Sequence, residues 1–117
     1  MIESRELAMK IAKILDDRKA RDLQVIKIEE LTVIADYFVI ATGTSTTHVR
    51  SLSDEIEFKL KQEGIYPLAI EGYDSSSWVL TDYGTVVVHV FLEDARGFYA
   101  LERLWGDAPR VELDFGE

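Results

Sequence analysis

The chain contains no cysteine, which removes disulfides, thiolate nucleophiles and cysteine-ligated zinc or iron–sulfur sites together. It has two histidines, His48 and His89, so a three-histidine metal centre is impossible and any Ser-His-Asp triad would have to use one of them. Long hydrophobic runs are missing from the opening stretch. MIESRELAMKIAKILDD interleaves charges with apolar residues at helical spacing, unlike a signal peptide or a membrane span. Positive charge is in short supply. Thirteen Lys and Arg stand against 22 Asp and Glu, a formal net charge of −9, and that sign opposes adhesion to phosphate backbones and anionic lipid. These absences fit a cytoplasmic protein with no metal and no cofactor, one that acts near nucleic acid, if at all, through another protein.

What is present suits one compact domain. With 117 residues and 47% apolar content, the chain can bury roughly two-thirds of its unfolded surface. Ser4 is placed to cap a first helix in which Leu7, Ala8, Ile11, Ala12, Ile14 and Leu15 form one buried face, fading near Arg18. Leu23 to Ile28 reads as a first strand. After the connection from Glu29 to Asp36, the run from Tyr37 to Ala41 reads as a central strand covered on both faces. Beyond a cap-rich turn from Thr42 to Thr47, the stripe Val49, Leu52, Ile56 and Leu60 predicts a second helix ending at Gly64, with Glu55–Lys59 and Glu57–Lys61 pairs on its solvent side. Pro67 to Ile70 is a short third strand, and strand, helix, strand in that order implies a parallel crossover. Ser77 to Thr81 and Thr85 to Leu92 make an antiparallel hairpin about an Asp82-Tyr83-Gly84 turn. Asp94 then caps a last helix with Phe98, Leu101, Leu104 and Trp105 facing inward, and Val111 to Glu117 is a loosely held strand or arm. The expected fold is α/β: a single domain with a mixed five-stranded sheet and three helices.

Three features could carry function. The Gly43-Thr44-Ser45 turn lies between a strand and a helix, where backbone N–H groups can cradle a phosphate. It lacks the Walker lysine and the further glycines of a dinucleotide fingerprint, so helix capping accounts for it better, and a nucleotide-handling enzyme is the alternative reading. Asp54, Glu55 and Glu57 fall on the second helix, not on a neighbouring strand where they could hold magnesium. His48 follows the cap region as a surface or capping residue. His89 alternates with Val87 and Phe91, which makes it a satisfied core histidine or part of a binding surface. Trp78 and Leu80 share a strand face, and Tyr83, on the turn, can lean over the same edge. They are either packed core or an exposed apolar patch rimmed by Asp74, Asp82 and serines, the form of a protein interface.

Read together, the segments resemble the ribosomal silencing factor (Iojap-like) family. The resemblance is carried by Asp36 to Ser45 with His48-Val49, by Glu71-Gly72, by Trp78-Val79-Leu80 with Asp82-Tyr83-Gly84, by Val86 to Phe91 with His89, and by Arg96, Tyr99, Leu101-Glu102 and Leu104-Trp105. It implies a nucleotidyltransferase-like topology without the catalytic site, and a non-enzymatic homodimer that represses translation when nutrients are short. Such a protein would bind the large ribosomal subunit through large-subunit ribosomal protein fourteen and block subunit joining. Carried onto this chain, the resemblance makes Trp78, Leu80, Asp82 and Tyr83 the gripping surface, with His89 adjacent. Two positions depart from the family pattern: Thr85 stands where relatives often have an acidic residue, and Gly97 where they have a longer polar one.

Overall fold

The apolar stripe of the first segment forms the helix its spacing dictates. In a computed structural model of the chain, which describes residues 2–29, 35–94, 109–113 and 115, α1 (Ser4–Asp17) buries the six residues of that stripe, Leu7 to Leu15. Its N-cap is Glu3, whose side chain makes no capping hydrogen bond. Ser4 is already helical, one position too late for its hydroxyl to cap. Lys19, at φ 64°, ends the helix by letting Ala20 N–H reach Leu15 O and its own N–H reach Asp16 O, a Schellman closure.

α2 (Thr46–Lys61) buries Val49, Leu52, Ser53, Ile56 and Leu60. It closes in the same way, with Gly64 at φ 78° and Ile65 N–H on Leu60 O. Of the two expected solvent-side pairs, Lys59 lies 3.8 Å from Glu55, which is also engaged by Arg18 at 3.0 Å. No Glu57–Lys61 pair forms.

The strands are β1 (Arg21–Lys27), β2 (Tyr37–Gly43), β3 (Ala69–Glu71), β4 (Trp78–Asp82) and β5 (Val86–Leu92), in one mixed sheet ordered β1-β2-β5-β4-β3. β2 is buried at every residue and β5 at all but its last. Strands apolar on both faces gain most from central positions, and these two pair in parallel at the middle of the sheet. The pairings make β3 run in the same direction as β2. β2, α2 and β3 therefore make the expected parallel crossover, but its two strands are not neighbours: the β4–β5 hairpin lies between them and leaves the short, half-exposed β3 at the edge.

Alternation along the strands divides the interior. Val25, Val39, Ala41, Val86, Val88 and Val90 pack with both helices. On the opposite face Ile26, Phe38, Ile40, Val87 and Phe91 form a second core, against which Trp78 and Leu80 pack. The described residues of the C-terminal arm are tied down, not loose. Lys27 N–H donates to Pro109 O and Val111 N–H to Val25 O, so the pairing starts two residues earlier than expected, and Leu113 and Phe115 rest on the helix-side core. The expected last helix after Asp94, with Phe98, Leu101, Leu104 and Trp105, lies outside the described residues, as do Gly97 and most of the connection after Glu29.

Candidate functional site on the β4–β5 hairpin

The hairpin register fixes which side chains meet. Trp78 pairs with Phe91, Leu80 with His89 and Asp82 with Val87, and residues opposite each other project from the same face. The Trp78 ring stacks on Phe91 at 5.1 Å between centroids and lies 5.9 Å from His89. His89 in turn meets the Phe38 ring edge-on at 4.6 Å. Trp78 and Leu80 are half-buried. They are neither sealed core nor free surface.

His89 is 4% exposed. Its Nδ1 accepts a hydrogen bond from Trp78 Nε1–H at 3.1 Å, so the ring is neutral with its proton on Nε2, which has no partner. Burial pushes its pKa down to about 4, because a desolvated imidazolium would be unfavourable. Of the two sequence readings the core one holds, with the qualification that the histidine is only half satisfied.

The segment leading into β4 is held by two positive-φ residues and one arginine. Gly72 adopts φ 80° and the fully buried Ser76 φ 59°. Ser76 N–H donates to Gly72 O, and its hydroxyl donates to Tyr73 O at 2.8 Å. From α2, Arg50 Nε donates to Ser76 Oγ at 2.7 Å and its Nη2 to Asp74 O, while Tyr73 OH donates to Asp54. This clamp sits two residues before Trp78. Sequence reasoning missed it, since nothing in the charge pattern of α2 distinguishes Arg50 from its neighbours.

At the turn, Asp82 Oδ1 accepts Gly84 N–H at 2.7 Å, and Gly84 takes φ 89°. Glu71 is exposed and pairs with Leu80, which puts a carboxylate beside the aromatic face. Tyr83 does not lean over that face, and here the expectation is corrected. Its N–H bonds to Val86 O, strand alternation persists through the turn, and the ring packs on the helix-side core. There it lines a cavity of about 590 Å³ with Ile2, Leu7 and Ile65. Its buried hydroxyl has no hydrogen-bond partner, and burial, helped by the Glu57 carboxylate, pushes its pKa up to about 12.

The Gly43-Thr44-Ser45 turn is tied to the start of α2. Ser45 Oγ caps α2 by accepting His48 N–H at 3.1 Å, and His48 Nδ1 accepts Thr44 N–H at 3.0 Å. The same ring reaches Arg18 O through Nε2 at 3.0 Å, joining the start of α2 to the end of α1. A Cβ on Gly43 would lie 2.7 Å from the Val49 side chain, so close packing explains this glycine. Among the described residues no three His, Asp or Glu side chains gather where they could hold a metal ion. No described helix is long and apolar enough to cross a membrane.

Fold and site together define a small α/β protein whose most organised constellation is an aromatic face on a hairpin, backed by a buried histidine. A family model described as "Ribosomal silencing factor during starvation" matches residues 1–117, and the chain belongs to that family. It is 46% identical over 101 residues to the ribosomal silencing factor RsfS of Bacillus subtilis, covering 86% of each chain. It is 40% identical over 113 residues to that of Halalkalibacterium halodurans, covering 97% of each. A crystal structure of a Chromobacterium violaceum protein superposes with a TM-score of 0.87 at 34% identity, over 99% of this chain and 94% of that one.

Proposed function

We propose that this protein represses translation without chemistry, by docking on the large ribosomal subunit through the Trp78–Leu80 face and excluding the small subunit from the volume it occupies. The receiving surface is a basic one, large-subunit ribosomal protein fourteen, and the protein acts in the cytoplasm as a homodimer with no cofactor. One observation carries the reading: two large apolar side chains are partly exposed where they pack on the second core, with Glu71 and Asp82 on the same face. A preformed aromatic anchor with an acidic rim has the chemistry that steers onto a basic partner and then excludes water. The net charge of −9 would by itself repel ribosomal RNA, so the docking is assigned to protein.

Within this reading Trp78 and Leu80 make the apolar contact and Asp82 contributes to the rim. His89 stands behind Trp78, and Tyr83, packed on the helix side, supports the turn. The test is co-sedimentation of folded Trp78→Ala protein with purified large subunits. Central aromatic anchors contribute about 2 kcal/mol or more, so binding should fall at least roughly thirtyfold. Undiminished co-sedimentation would remove Trp78 from the interface. Sedimentation of the same variant without ribosomes shows whether this face also pairs two copies of the chain.

A further inference from the structure

The sheet has two edges, and among the described residues the chain covers only one. At the β1 edge Lys27 N–H donates to Pro109 O, Val111 N–H donates to Val25 O and Ile26 bridges Arg110. At the other edge β3 pairs with β4 and, among the described residues, with no further strand. Proteins blunt an open edge with short strands, proline, bulges or charge. β3 is three residues long and follows Pro67. Leu68 N–H bonds to Asp82 O although Ala69 already faces Asp82, two residues against one as at a bulge. Protection of this kind does not account for the apolar surface beside it. Ile65 and Ile70 pack on the helix-side core, whereas Tyr66 is 60% and Leu68 74% exposed, joined among the described large apolar residues only by Phe58. Leu68 also reaches the hairpin turn, where its Cδ1 would lie 3.5 Å from a Cβ on Gly84.

Charge decides what kind of strand fits there. Between Lys61 and Arg96 the sequence has six acidic residues and no Lys or Arg, so β3, β4 and β5 carry no basic side chain. In the register Glu71 faces Leu80 and Ala69 faces Asp82, which sets two carboxylates on one face of the edge. A second copy would bring the same acidic stretch against itself, in a chain of net charge −9; a segment bearing Lys or Arg is attracted instead. We propose that the β3 edge, with Tyr66 and Leu68 at its start, receives an extended basic segment of a partner protein as a sixth strand. Backbone hydrogen bonds to β3 hold the segment, Tyr66 and Leu68 cover its apolar side chains, and its cations face Glu71 and Asp82. The partner is the large-subunit protein of the docking reading, on which this inference rests, and the interface then runs from the Trp78–Leu80 face to the edge of the sheet.

The test compares wild type with a double variant, Tyr66→Ser with Leu68→Ser, on purified large subunits. Both side chains are exposed, so the variant should unfold in urea at the wild-type midpoint. Its co-sedimentation should weaken at least roughly tenfold, the loss expected when a Tyr and a Leu leave an interface together. Undiminished binding would overturn the proposal. If the variant instead loses self-association in sedimentation without ribosomes and keeps its hold on large subunits, the edge belongs to a second copy and the proposal is equally overturned.

Strand addition itself is read by amide hydrogen exchange. In the complex at least one amide of β3 should exchange more slowly than in the free chain, by roughly fivefold or more, the factor that corresponds to one neutral hydrogen bond. Unchanged exchange throughout β3 would overturn the proposal, since side-chain contact alone adds no backbone bond. The docking reading fails separately. If Trp78→Ala binds as wild type does while the double variant does not, the Trp78 face has failed and the edge stands; the reverse result removes the edge and keeps the face. Wild-type protein that does not co-sediment with large subunits at all would overturn both.

Discussion

Gly72 and Gly64 provide a matched pair for testing how the segment before Trp78 is held. Both adopt almost the same backbone angle, φ 80° and φ 78°. They differ in what a side chain would meet. A Cβ on Gly64 would find nothing within 4 Å, whereas one on Gly72 would lie 2.1 Å from the Trp78 carbonyl oxygen and 3.3 Å from its carbon. An alanine forced into left-handed backbone costs about 1 kcal/mol, and that is all Gly64→Ala should lose. Gly72→Ala adds a collision between two backbones, which no rotamer relieves. The end of β3 must part from β4, or the turn through Ser76 must open, with the loss of one or two hydrogen bonds at about 1 kcal/mol each. The expected loss is about 2–3 kcal/mol, or a fall in Tm of about 10 °C for a domain of this size. Urea unfolding followed by circular dichroism measures both variants against wild type. If Gly72→Ala and Gly64→Ala agree to within about 0.5 kcal/mol, the close approach of Gly72 to Trp78 is refuted.

Three other predictions rest on single groups. Tyr83→Phe removes a buried hydroxyl that has no partner, so stability should be unchanged or rise by up to about 1 kcal/mol in the same urea assay; a loss larger than that would mean the hydroxyl is bonded. His89 has its pKa lowered from 6.5 to about 4 in the folded chain, so the unfolded chain binds the extra proton first as pH falls. Its contribution is complete above pH 6.5 and is lost down to about pH 4, on the order of 3 kcal/mol in all. His89→Asn should flatten the fall of stability measured over that window, and a curve parallel to wild type would contradict the assignment. Ser45→Ala removes the side-chain cap of α2 and should cost about 1 kcal/mol in unfolding free energy, with Ser45→Asp close to wild type.

The two described helices were legible because a buried stripe imposes a period that nothing else produces. The Leu7 to Leu15 and Val49 to Leu60 faces came out as the spacing predicts. β2 was legible because an unbroken apolar run has no face to leave in water. Strand order was not, since a mixed sheet can place a hairpin on either side of a strand with the same side-chain pattern. The pairing of β2 with β5 is decided by tertiary packing.

Tyr83 was misread for a simpler reason. Residues 78, 80 and 82 share a parity that 83 lacks, and the N–H bond of Tyr83 to Val86 O carries strand alternation through a turn credited with more freedom than it has. The contact between Trp78 and His89 was not legible, because it follows from a tight turn centred on Gly84 and Thr85, which pairs Leu80 with His89 and sets Trp78 beside it, whereas the Asp82-Tyr83-Gly84 turn expected from the sequence gives another register. The Arg50 clamp offered no signal either, since it joins a helix to an irregular segment through a backbone shape that only three dimensions reveal.

The central claim is that the Trp78–Leu80 face occupies the surface of the large subunit that the small subunit needs. Purified small and large subunits, mixed under conditions that favour joining and separated on a sucrose gradient, test it directly. Saturating wild-type protein should deplete the joined ribosome peak and travel with the large subunit, while equally folded Trp78→Ala leaves the peak intact. A full joined peak in the presence of excess folded wild-type protein would contradict the account.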